Sequence, residues 1–182
     1  MYLNQDPDDA RLAARTLAGD TDAFEILVTR YERVLFRVAC RMLGDHEDAR
    51  DATQEAFLSA YRKLDRFDTR RRFFSWLYRI LLNECLNARR DRRPHEAVTP
   101  ELVVGGSVQD VVEASERRRR VQQALLALPH DYRAVIVLRH FEELGYDEIA
   151  DALGIPSKTV KSRLYTARQR LGELLLPEKT RI

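Results

Sequence analysis

The residues best equipped for chemistry lie at positions 146–164, Tyr-Asp-Glu-Ile-Ala-Asp-Ala-Leu-Gly-Ile-Pro-Ser-Lys-Thr-Val-Lys-Ser-Arg-Leu, and in the helical run that continues them. No acid occurs between Ser157 and Arg170, and a helical wheel puts Lys158, Lys161, Ser162, Tyr165, Arg168 and Gln169 opposite an apolar seam. Long cations and hydroxyls in that arrangement suit phosphates and base edges in a major groove. A solvated basic face of a structural helix is the competing reading. A second group, Phe67, Phe73, Phe74, Trp76 and Tyr78, is interleaved with arginines, a combination that stacks unpaired bases while cations track the backbone. Trp76 and Phe73 also fall on an apolar helix face, which favours packing for these two. A third group, Asp48, Asp51, Gln54 and Glu55, makes a carboxylate and amide face suited to basic side chains on a partner, with Phe57 and Leu58 as its apolar complement. Enzymatic chemistry has no comparable signal. His46, His95, His130 and His140 lack metal-ligand spacing and no glycine-rich phosphate loop occurs, so neither an enzyme nor a bound metal or cofactor is expected.

The elements that position these residues are helices. Positions 146–164 have the grammar of a helix-turn-helix. Ile149 and Leu153 turn the first helix inward, small Ala150 permits a close crossing, and Gly154 gives the backbone freedom that ends it. Ile155 plugs the corner, Pro156 stops extension, and Ser157 is placed to cap a second helix whose seam is Val160, Leu164, Ala167 and Leu171.

Upstream, Phe24, Leu27, Val28, Tyr31, Leu35, Val38, Ala39 and Met42 repeat at intervals of three and four, predicting a long helix that Asp20 or Thr21 caps. Gly44 ends it, and Asp45 caps a following helix over 46–64 that packs antiparallel to it. A third long helix is predicted over 73–91 and a short leading one over about 8–18. Residues 94–114 hold Pro94, Pro100, Gly105 and Gly106 without an apolar period, as expected of a flexible linker. Helices resume over 115–128, 132–141, 147–153 and 157–175. The expected fold is therefore all-α, with a four-helix unit at 1–93, a linker at 94–114 and a helix-turn-helix domain at 115–182.

Composition agrees with a soluble globular chain of 182 residues, 45% apolar and 33% charged. The formal net charge of +2 conceals a segregation. Residues 1–55 are acidic, whereas 59–93 hold Arg62, Lys63, Arg66, Arg70, Arg71, Arg72, Arg79, Arg89, Arg90, Arg92 and Arg93. The basic stretch can hold a polyanion and the acidic one must meet something else. Cys40 and Cys85 sit among apolar neighbours in predicted helices, so a secreted disulfide framework is excluded and buried thiols are expected rather than redox or metal sensors. Without a leader pattern or a membrane-spanning run, a cytoplasmic location and no membrane insertion are expected.

Specific resemblance enters with Gly44-Asp45-His46-Glu47-Asp48-Ala49-Arg50-Asp51-Ala52-Thr53-Gln54-Glu55-Ala56-Phe57-Leu58-Ser59-Ala60-Tyr61-Arg62, then Phe74-Ser75-Trp76-Leu77-Tyr78-Arg79-Ile80 and Asn83. These runs resemble region two of the extracytoplasmic-function (ECF) bacterial sigma factors. The helix-turn-helix with Val160-Lys161-Ser162-Arg163-Leu164 resembles their region four, in the same order and after a linker. The matches cover nearly the whole chain.

The resemblance implies a promoter-specific initiation factor. Asp48, Asp51, Gln54, Glu55, Phe57 and Leu58 would lie on the clamp helices of the polymerase β′ subunit. The loop with Arg66, Asp68, Thr69, Arg70, Arg71 and Arg72, together with Asn83, would capture a base flipped from the non-template strand of the −10 element. Trp76, Tyr78, Arg79, Arg89 and Arg90 would flank that strand. Ser157, Lys158, Thr159, Lys161, Ser162, Arg163, Tyr165, Thr166 and Arg168 would meet the −35 element, with the same domain resting on the polymerase β flap. An anti-sigma factor is the implied inhibitor. Thr166 stands where well-known members carry arginine, and the three arginines of the loop fall where members differ most, so the promoter sequence is not implied. A free-standing repressor is the alternative, and it would add no initiation to core polymerase.

Overall fold

Helix-forming stripes and well-placed caps build eight α-helices among the residues described by the computed structural model, 8–91 and 108–176, with side chains described for 8–89 and 114–176. They are α1 (Asp8–Leu17), α2 (Thr21–Leu43), α3 (His46–Arg62), α4 (Phe73–Asp91), α5 (Val108–Ala127), α6 (His130–His140), α7 (Tyr146–Leu153) and α8 (Ser157–Leu175), and no strand occurs among the described residues. The Asp20 side chain accepts from the Ala23 N–H at 3.2 Å, and Asp45 accepts from Glu47 and Asp48 at 2.9 and 3.1 Å. Each satisfies donors that a helix start otherwise leaves open. Gly44 and Gly154 adopt left-handed φ values of 76° and 66° at the ends of α2 and α7, where a Cβ would add strain.

Helices α2, α3 and α4 form the scaffold of the first unit. Ala49, Ala52, Ala56 and Ala60 line the inner face of α3, and their small side chains let it lie close to Leu27, Leu35, Val38, Phe74, Leu77 and Leu81. Burying each such leucine contributes about 1.5–3 kcal/mol relative to exposure. α1 is pinned to α2 by buried Asp9, which accepts from Arg30 and Tyr31. In the second unit, α6 is buried through six consecutive residues, Arg133–Leu138, with α5, α7 and α8 around it.

Three sequence expectations are revised. The helix expected over 46–64 ends at Arg62, and Leu64–Arg66 forms a single 3-10 turn that carries buried Leu64 inward. α5 begins at Val108 rather than at Ser115. Its first turns contain Val108, Val111 and Val112, whose β-branching weakens a local helix signal without forbidding the helix. The expected linker residues 94–107 lie outside the described residues. Ser157 does not cap α8: it is the first helical residue after Pro156, and its hydroxyl donates to Asp147 instead. Among the described residues no helix is long and apolar enough to cross a membrane, and no cluster of His, Cys, Asp or Glu could hold a metal ion.

Candidate nucleic-acid and polymerase interfaces

The recognition face of α8 is built by its seam. Val160, Leu164 and Ala167 are buried against α6 and α7, which forces Lys158, Lys161, Ser162, Tyr165, Arg168 and Gln169 outward. Tyr165 is 65% exposed, a large apolar ring left in solvent at the centre of this face, and its hydroxyl accepts from the Gln169 amide at 3.0 Å. Lys161 lies over the Tyr146 ring at 5.7 Å, and Arg139 lies 5.2 Å from the same ring, so this aromatic fixes where Lys161 projects. Arg168 donates to His140 at 3.2 Å. Burial, followed by repulsion from Arg168 and Arg139, holds the His140 pKa below its ordinary value and so favours the neutral acceptor. Thr159 and Thr166 are half-buried beside the face. Arg163 departs from it, turning inward to pair with Asp131 of α6 at 2.8 Å.

The first unit carries two other faces. On α3, Asp51, Gln54, Glu55 and Leu58 are exposed at spacings of three and four, and Asp48 stands half-buried one turn earlier. Leu58, half exposed, supplies the apolar component of the stripe. Phe57 is corrected: it is 8% exposed and follows Thr53 on the buried side, so it holds α3 in the core and cannot meet a partner directly.

Between α3 and α4, the loop presents Arg66, Thr69, Arg70 and Arg71 to solvent. Asp68 accepts from the Arg70 backbone and side chain, and the Arg70 guanidinium holds its carboxyl down to about 2. The loop is thus shaped by a local ion pair that leaves Arg71 outward. Asn83 and Arg89 are exposed on α4, and the side chain of Arg90 lies outside the described residues.

Trp76 is half-buried against Phe67 at 5.2 Å and Phe73 at 5.6 Å, an aromatic cluster with one edge in solvent. Tyr78 is corrected as a strand contact: it is 1% exposed and edge-on to Phe74 at 6.0 Å. Its hydroxyl has no hydrogen-bond partner among the described residues, and burial, with the nearby Glu142 carboxylate, pushes its pKa well up.

Sequence reasoning missed a third arrangement, which joins the two units. Arg72 pairs with Glu148 of α7, and Arg79 donates to the Asp151 carbonyl at the end of the same helix. Gln122 donates to the Cys40 and Arg41 carbonyls at 3.2 and 3.3 Å. Arg133, 1% exposed, donates to the carbonyls of Met42, Leu125, Leu126 and Leu128. Burial, then the charge of Arg89, lowers the Arg133 pKa to about 10, while the surrounding carbonyl dipoles accept its donors. Arg41 stacks 4.3 Å from the Phe141 ring, and Arg37 lies 3.6 Å from Glu142. Burial raises the Glu142 pKa, outweighing both arginines. One signal for this seam was present in the sequence, a single arginine at the head of the apolar run Ala134-Val135-Ile136-Val137-Leu138 on a helix buried all round.

An all-helical chain with an aromatic and arginine face in one unit and a helix-turn-helix in the other matches known families at both ends. Residues 27–95 match sigma-70 region 2, and residues 118–171 match sigma-70 region 4, which defines the class as a sigma-70-type factor. The chain is 38% identical over 170 residues to the ECF RNA polymerase sigma factor SigW of Bacillus subtilis, covering 86% of this chain and 91% of that one. It is 36% identical over 182 residues to the RNA polymerase sigma-H factor of Pseudomonas aeruginosa, covering 93% and 94%. Among solved structures it is similar to CnrH in complex with the cytosolic domain of CnrY, with a TM-score of 0.72 and 32% identity over 92% of this chain and 96% of that one. It is also similar to the sigma factor RpoE of Bartonella quintana in complex with the anti-sigma factor NepR, with a TM-score of 0.66 and 26% identity over 87% and 98%. The chain belongs to the ECF RNA polymerase sigma factors.

Proposed function

We propose that this sigma factor works by gripping opened and closed promoter DNA with different units while both are held on one core polymerase. The observation that carries the reading is that the chain has two nucleic-acid faces of different chemistry. α8 offers a convex, acid-free row of Lys158, Lys161, Ser162, Tyr165 and Arg168 suited to a duplex groove. The loop and α4 offer arginines, Asn83 and the edge of Trp76, which suit an unpaired strand.

In this scheme Asp48, Asp51, Gln54, Glu55 and Leu58 dock on the β′ clamp helices. Exposed ion pairs there contribute only about 0–1 kcal/mol each, so Leu58 is needed for affinity. Arg66, Asp68, Thr69, Arg70, Arg71, Arg72 and Asn83 hold the flipped base of the −10 element, with Trp76, Arg79, Arg89 and Arg90 along the strand. Ser157, Lys158, Thr159, Lys161, Ser162, Tyr165, Thr166 and Arg168 meet the −35 element, and the second unit rests on the β flap. Arg163 acts from behind, because its bond to Asp131 fixes α8 on α6.

The connection between the units, about 20 residues at 3.3–3.6 Å each, reaches on the order of 65–70 Å, comparable to two duplex turns of about 34–36 Å. No catalytic step is assigned to the chain, whose site is cytoplasmic, where polymerase and promoter are. The complexes of CnrH with CnrY and of RpoE with NepR support an anti-sigma factor as the natural inhibitor here. Run-off transcription with purified chain and core polymerase on genomic fragments tests the reading. Defined 5′ ends that depend on the chain are expected, and transcripts with no defined start would overturn it.

A further inference from the structure

The two nucleic-acid faces that must act about two duplex turns apart are in direct contact in this structure. Of the arginines assigned to the −10 strand, Arg72 and Arg79 are the two that α7 engages. Arg72 meets the Glu148 carboxylate in the first turn of α7. Arg79 reaches the Asp151 carbonyl at the other end and lies across the Gly154 corner, where an added Cβ would sit 3.3 Å from its guanidinium carbon. The last carbonyls of a helix lack intrahelical donors and carry the negative end of its dipole, so that end attracts a guanidinium much as an anion would.

We infer that the chain is self-closed, with α7 of the helix-turn-helix unit standing in for the promoter strand on Arg72 and Arg79 until the units separate. The inference rests on the assignment of these arginines to the strand. Both ligands supplied by α7 mimic what phosphate offers, a charged oxygen for Arg72 and a polar oxygen for Arg79. The rest of the seam is suited to reversal. Gln122 and Arg133 cap the terminal carbonyls of α2, Arg41 stacks on Phe141, and Arg37 faces Glu142. Water can replace most of these contacts on opening, as at polar inter-domain interfaces that come apart. The duplex-facing row of α8 takes no part in the closure, so the closed chain withholds strand capture and leaves groove contact available.

Glu148→Gln tests this cleanly. The Glu148 carboxylate also accepts from the Gly145 N–H at 2.7 Å, a helix-start bond that a glutamine oxygen retains while the charge opposite Arg72 is lost. Binding of a fluorescent single-stranded −10 non-template oligonucleotide to the full chain without polymerase is measured by anisotropy. E148Q is expected to bind about fivefold tighter than wild type, equivalent to the roughly 1 kcal/mol at the upper end for an exposed ion pair. Glu143→Gln, which removes an exposed acid from the neighbouring turn, is expected to leave the affinity unchanged. Equal affinity of E148Q and wild type, or an equal gain in E143Q, would overturn the inference. Small-angle scattering of the wild-type chain supplies a second readout: saturating oligonucleotide is expected to raise the radius of gyration, and an unchanged radius would overturn closure as well. Wild-type transcription with core polymerase is scored separately. Failure of the parent reading would appear there, and failure of the closure in the oligonucleotide comparison.

Discussion

The recognition helix α8 and the strand-binding stretch around α4 are both basic, yet the structure treats them differently. On α8 the outward cations are held by neighbours of their own unit, Lys161 by Tyr146 and Arg168 by His140, and the face stays open. On α4 and the preceding loop the outermost arginines remain in solvent, while Arg72 and Arg79 are taken by the other unit. A face preorganised by local contacts is ready to bind, whereas a face completed by a distant element must first be released. Two similar basic stretches can therefore operate at different stages of one event.

The largest expected effect breaks the first half of that contrast. Leu164→Ala removes a fully buried side chain from the α8 seam and should destabilise the second unit by about 2–5 kcal/mol, with loss of duplex binding. Thermal unfolding followed by circular dichroism checks it, and a melting curve like that of wild type would show that the seam does not hold the face.

Lys161 and Arg163 separate presentation from support. Lys161→Ala should weaken −35 duplex binding across sequences and reduce the salt slope by about 1, whereas Arg163→Ala should act mainly on stability through the lost Asp131 pair. Binding titrations over a salt series, alongside melting curves, distinguish the two. On α3 the same logic divides neighbours. Leu58→Ala should weaken core polymerase binding at nearly unchanged stability, and Phe57→Ala should lower stability by about 3–5 kcal/mol.

A smaller effect concerns pH and the seam between the units. The Glu142 pKa is raised in the closed arrangement because burial outweighs Arg37 and Arg41, and Tyr78 from α4 is the other titratable group near it. The closed form thus binds the proton more readily than the open one. Its contribution to closure is full below the ordinary glutamate value and is lost as pH rises through the raised one. Glu142→Gln should remove this dependence and tighten closure at neutral pH, seen as a smaller radius of gyration. An unchanged pH response would place the titration elsewhere. Smallest of all should be the thiol response. Burial raises Cys40 to about 11 and Cys85 to about 12, so neither should react with a thiol reagent at neutral pH until the chain unfolds.

Much of this was legible in the sequence because the signals are local. The stripes, the Asp20 and Asp45 caps, the glycine ends at 44 and 154, and the α8 seam each depend on residues within a turn or two of one another. Phe57 was legible too, since its spacing from Thr53 and Ala60 puts it on the buried side, but the neighbouring acidic stripe drew it into the partner face. Tyr78 lies one turn from buried Phe74 and Leu81, and its hydroxyl suggested an exposure that packing denies. The pairing of Arg72 with Glu148 was not legible. It joins residues 76 apart in the chain, and neither side chain carries a mark of its partner when charges of both signs are plentiful. The helical start of α5 at Val108 escaped notice because β-branched residues there obscure the period.

The most direct measurement is the distance between the two units before and after a promoter complex forms. Spin labels on cysteines introduced at exposed Ala14 in α1 and Gly172 in α8 would report it, since the buried native thiols stay unlabelled. The account predicts a single short distance in the free chain and a distance lengthened by tens of ångströms with core polymerase on promoter DNA, toward about two duplex turns between the bound faces. The same short distance in the transcribing complex would contradict it.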